Sequence, residues 1–150
     1  MSHIELSEFP PDQLAGEVLA VSLFEDDRPP TGPAALVDWR LGGHLSRLLL
    51  SGRLTGRRDE RFVLEPTGKL PVEWLLVCGS GARTLAVPEF AGVVQQMASS
   101  CIQAGYRKII LGLPADAELP FSGAVQAVES AMRQLGCREL DCTISYYPQD

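Results

Sequence analysis

From residue 61 onward two kinds of apolar pattern alternate, and that alternation limits what the chain can fold into. Arg61–Glu65 and Val72–Cys78 are short runs rich in β-branched and aromatic residues, which is how strands read. Residues 87–104 carry helical spacing, beginning near Pro88 and stopping at Gly105. Lys108–Leu113 is again a compact apolar run. Ser122–Leu135 is helical through Val125, Val128, Met132 and Leu135, with Gly136 as its stop, and Leu140–Tyr147 closes the series. The order strand, strand, helix, strand, helix, strand predicts a three-layer α/β/α sandwich on a mixed, largely parallel sheet.

The first sixty residues extend the scheme. Residues 3–9 alternate polar and apolar, as a half-buried strand does, and Pro10–Pro11 ends them. Residues 17–24 are mostly apolar, as in a strand covered on both faces. Arg28–Pro33 contains three prolines and cannot be helical throughout. Leu36, Trp39, Leu45, Leu48 and Leu49 predict a helix over 33–51, bent or divided at Gly42–Gly43. Trp39 and Trp74 are expected as core or rim anchors. With 150 residues, no long linker and no repeat, a single domain over 1–150 is expected.

Composition narrows the function classes. The net charge of −6 lacks the basic field on which nucleic-acid affinity rests. The one basic cluster, Arg53, Arg57, Arg58 and Arg61, is interrupted by Asp59 and Glu60 and reads as a solvated turn with its own counter-charges. No apolar run approaches the ~20 residues of a membrane span, and the start lacks a signal-peptide pattern. A cytoplasmic protein is expected. The four cysteines, Cys78, Cys101, Cys137 and Cys142, form no Cys-x-x-Cys pair, so they are expected as reduced thiols without a metal. His3 and His44 stand in no pairing that would activate a thiol nucleophile. No cofactor is expected.

The stretch Ala35–Pro66 places a double glycine before Leu45-Ser46-Arg47-Leu48-Leu49-Leu50-Ser51-Gly52, then Leu54-Thr55-Gly56, then a strand. Trp74–Gly81 follows, then a helix and Lys108-Ile109-Ile110-Leu111. This succession resembles the N-terminal domain of the cytosol (leucyl) aminopeptidase family, and Val18–Asp27 fits that domain's early strand and acidic loop. The resemblance implies a macro-domain-like fold. It also implies that catalysis belongs to a separate two-metal domain, whose Asn-Thr-Asp-Ala-Glu-Gly-Arg motif does not occur in these residues. No catalytic residue carries over. The expectation is a non-catalytic, stand-alone relative acting as an interaction, assembly or regulatory module, either as a homo-oligomer or with a separately encoded protein partner.

The macro-like resemblance suggests an alternative, a small-molecule binding domain for a nucleotide or ADP-ribose-like anion. Two loops could offer amides: Gly79-Ser80-Gly81-Ala82, and the loop after the next strand, where Phe121-Ser122-Gly123 opens a helix. Plain turn chemistry is the simpler reading of both. The segment corresponding to the macro phosphate loop, Arg28–Pro33, is rich in proline, which donates no N–H. Asp116 and Glu118 would also repel a phosphate.

Overall fold

A computed structural model describes residues 2–82, 87–114 and 119–147. The elements are β1 (Ser2–Ser7), a 3-10 turn (Pro11–Gln13), β2 (Gly16–Leu23), α1 (Gly32–Arg40), α2 (His44–Leu50), β3 (Arg61–Leu64), β4 (Val72–Gly79), α3 (Val87–Gln103), β5 (Lys108–Pro114), α4 (Phe121–Leu135) and β6 (Leu140–Tyr147). The six strands form one sheet in the order β1-β6-β5-β2-β4-β3. Every neighbouring pair is parallel except β3 with β4. Parallel neighbours need crossover connections, and the helices that supply them cover both faces of the sheet.

β2 lies inside the sheet, and Val18, Leu19, Ala20 and Val21 are fully buried, which is why the run is apolar at successive positions. Alternate residues serve opposite cores. Val18 and Ala20 join Ile109, Leu111, Cys142 and Ile144 under α3 and α4. Leu19 and Val21 join Leu75, Val77 and Ile110 under α1 and α2.

The expected helix over 33–51 is divided in two. Gly42 and Gly43 both take left-handed φ, +65° and +84°, a conformation open to glycine without a Cβ clash. Gly43 has no side chain to cap α2. The carboxylate of Asp38 accepts the Ser46 N–H and hydroxyl instead. The expectation for Trp39 as an anchor is overturned. α1 turns Ala34, Val37 and Asp38 inward at the i, i+3, i+4 spacing. Trp39 falls off that stripe and is 76% exposed. Trp74 is at the rim, 37% exposed.

Candidate functional site

The carboxyl ends of β2, β4 and β5 are where an open α/β sheet offers a site. Around β2 and β4, Glu60 organises that end. Its carboxylate accepts the N–H of Thr55 at 3.1 Å and of Gly56 at 2.7 Å, and the Thr55 hydroxyl at 2.9 Å. The loop so formed lies directly on β2 and β4. A Cβ on Gly56 would stand 2.9 Å from Glu25 N, and one on Gly79 only 2.0 Å from the Arg57 carbonyl oxygen. Glycine at these two positions permits backbone to meet backbone.

The same contact consumes the amides of the first candidate loop. Gly79 N–H donates to Glu60 O at 2.7 Å, Ser80 N–H to Leu23 O at 3.0 Å and Gly81 N–H to Gly56 O at 2.9 Å. The Gly81 carbonyl accepts the Glu25 N–H. Ser80 is buried, with its hydroxyl directed to Cys78 O, whereas Ala82 is exposed. These bonds occupy the N–H groups of Gly79, Ser80 and Gly81, three of the four N–H donors this loop offers.

The second candidate loop follows β5, which β2 separates from β4; at the usual strand spacing those two strands lie roughly 9–10 Å apart. Phe121, Ser122 and Gly123 form the first turn of α4, which contains no acidic residue. Phe121 packs against the α3–α4 core, while Ser122 is exposed. Gly123 lies against Leu119, whose carbonyl accepts the Tyr146 hydroxyl at 2.8 Å. Phe24 and Phe90, with ring centroids 6.4 Å apart, belong to the same buried cluster as Leu119. Asp116 and Glu118 lie outside the described residues.

The proline segment is tied down locally. Arg28 donates to Thr55 O at 3.0 Å, and the Thr31 hydroxyl to the Asp27 carboxylate at 3.0 Å. In the basic cluster Arg61 reaches the Ser100 hydroxyl and Glu60 O. Arg53, Arg57 and Arg58 are exposed. The two acidic residues of the cluster are spent elsewhere than expected: Asp59 accepts from Gln96, and Glu60 serves Thr55 and Gly56.

The three buried thiols are poorly suited to nucleophilic work. Burial pushes the Cys78 thiol up to about 11 and the Cys142 thiol up to about 12, and raises Cys101 as well. A thiol held protonated is a poor nucleophile. Among the described residues no three His, Cys, Asp or Glu side chains come together as a metal site would require. Sequence reasoning missed the part played by Glu60, and also Glu17, whose carboxylate accepts the N–H groups of Arg107 and Lys108 at 2.7 and 2.8 Å. Both act on backbone, and no local sequence signal marks such a role.

A six-stranded sheet in this order, covered by helices on both faces, defines a macrodomain-like α/β protein. The macrodomain of Mycobacterium tuberculosis DarG superposes with a TM-score of 0.68 at 13% identity, covering 97% of this chain and 98% of that one. A mutant tomato leucine aminopeptidase gives 0.66 at 17% identity, covering 95% of this chain and 32% of that one. Residues 20–135 match the cytosol aminopeptidase family, N-terminal domain, and the chain belongs to that family. A probable cytosol aminopeptidase of Trichormus variabilis is 32% identical over 78 residues. That match spans 52% of this chain and only 16% of the relative. No helix among the described residues is long and apolar enough to cross a membrane.

Proposed function

We propose that this domain is a non-catalytic interaction module whose partner is the catalytic portion of a cytosol aminopeptidase. The observation that carries the reading is the family match over residues 20–135, which is to an N-terminal domain; Trp39, 76% exposed, and Leu50, 88% exposed, are large apolar side chains that the α1–α2 layer offers for contact. The fold covers 32% of the tomato aminopeptidase chain, and the remainder of such a chain is the natural neighbour of this domain. The test is sedimentation of the chain mixed with the cytosol aminopeptidase of its own organism, with hydrogen exchange read over residues 36–50. A complex that protects those residues, and that Trp39→Glu weakens at least tenfold, is expected. No complex, or one indifferent to Trp39→Glu and Leu50→Glu, overturns the reading.

A second reading, binding of a nucleotide or ADP-ribose-like anion, draws on the macrodomain-like fold and on the α4 first turn without acidic residues. The spent amides of Gly79–Gly81 weigh against it. Thermal-shift titration with ADP-ribose decides: a ligand at ~100 times its Kd adds about 2.7 kcal/mol. No shift at saturating ADP-ribose ends this reading.

A further inference from the structure

β1 is an end strand, and among the described residues it pairs only with β6. Its outer row of N–H and C=O groups is a template for another strand. Proline and lysine, two devices that blunt such an edge, are absent from Ser2–Ser7, and Glu5 is its one carboxylate. The opposite edge differs: β3 has four residues and starts with Arg61.

We propose that β1 pairs antiparallel with β1 of a second copy across a twofold axis at Ile4, joining the two sheets. Cross-strand side-chain pairing selects this register. With Ile4 opposite Ile4 of the other copy, His3 faces Glu5 and Ser2 faces Leu6. Centring on Glu5 instead would set two carboxylates opposite each other, which destabilises a pair. A one-residue shift sets Glu5 against Ile4. Within one copy His3 Nε2 lies 3.2 Å from Glu5 Oε2, and both side chains are exposed. The pairing adds a second Glu5 opposite each His3.

The other face of the strand agrees. Ile4 and Leu6 align with Cys142 and Ile144, on the face under α4. Leu6 is 50% exposed. Ser2 lines a groove of about 330 Å³ with Met132, Arg133, Gly136 and Cys137. In this register Leu6 of each copy stands opposite Ser2 of the other, and the groove that Ser2 lines also carries Glu129 and Arg138. The contact is isologous and closes at two copies. A strand pair is narrower than the standard interface of about 1,600 Å², so association is reversible and rises with concentration.

The test uses disulfide trapping in a Cys137→Ser background. His3→Cys and Glu5→Cys are made separately, at exposed positions that leave the fold intact. Directly opposed residues have Cβ atoms about 4.5–5.5 Å apart and diagonal ones about 7–8 Å. The mixture of the two variants is therefore expected to cross-link at least tenfold faster than either alone. Cross-linking of the mixture no faster than of the single variants overturns the register. Light scattering checks the assembly itself. The mass should rise above 16.3 kDa with concentration. His3→Glu should keep it at the monomer value, and His3→Glu combined with Glu5→Lys should restore the rise. Monomer at every concentration, or dimerisation unaffected by His3→Glu, overturns the proposal.

Discussion

Replacing Gly79 by alanine tests whether the glycine that ends β4 serves packing rather than a ligand. The added Cβ would stand 2.0 Å from the Arg57 carbonyl oxygen and 2.8 Å from Glu60 Cβ, both inside the 3.0 Å limit of real contacts. The overlapped oxygen cannot swing away. Arg57 O accepts the Glu60 N–H at 3.1 Å, and Glu60 O accepts the Gly79 N–H at 2.7 Å. Relief requires the 55–60 loop to lift from β4. Overpacking in a well-packed region typically costs 1–3 kcal/mol, and a pinned backbone atom places this case near about 3 kcal/mol. In a domain of this size each kcal/mol moves Tm by about 2–4 °C, so a fall of roughly 6–12 °C is expected. Gly68→Ala is the control. Nothing lies within 4 Å of its added Cβ, and only its left-handed φ of +79° is penalised, at about 1–2 kcal/mol. Urea unfolding followed by far-UV circular dichroism measures both. If Gly79→Ala loses no more stability than Gly68→Ala, the steric reasoning is wrong.

Three further outcomes are expected. Asp12 is 4% exposed and its carboxylate accepts from Arg40 Nε at 2.7 Å, so Arg40→Met should destabilise by about 2 kcal/mol, the cost of an unpaired buried carboxylate; adding Asp12→Asn should recover much of the loss in the same urea assay. The two backbone N–H bonds hold the Glu17 carboxyl below its ordinary value of 4.5, so its contribution is present above that pH and fades as the pH falls through the lowered native value. Glu17→Gln should therefore be less stable than wild type at neutral pH, with the gap closing in acid, as urea midpoints across pH would show. Of the four free thiols, half-buried Cys137 should react first with a thiol reagent at pH ~8, and buried Cys78, Cys101 and Cys142 only on unfolding; rapid reaction of a second thiol in the native state would contradict the burial.

The order and type of the elements after residue 61 follow from local pattern. Apolar runs, helical spacing and stops at Gly105 and Gly136 act over a few residues, and the elements form where those signals stand. The division of the first helical region follows from Gly42–Gly43 in the same way. What β1 pairs with could not be read so. It joins β6, about 138 residues later, so that Ser2 aligns with Leu140; nothing in either segment names the other. The candidate amides show the same limit. Gly79-Ser80-Gly81 has the composition of an anion loop, yet its donors are taken by Glu60, Leu23 and Gly56 once the strands align. Trp39 points outward because α1 is seated on β2 and β5, and those strands choose which of its faces is covered. Local propensity and punctuation reside in neighbouring residues, whereas the fate of a donor or an aromatic ring depends on which distant segment folding brings against it.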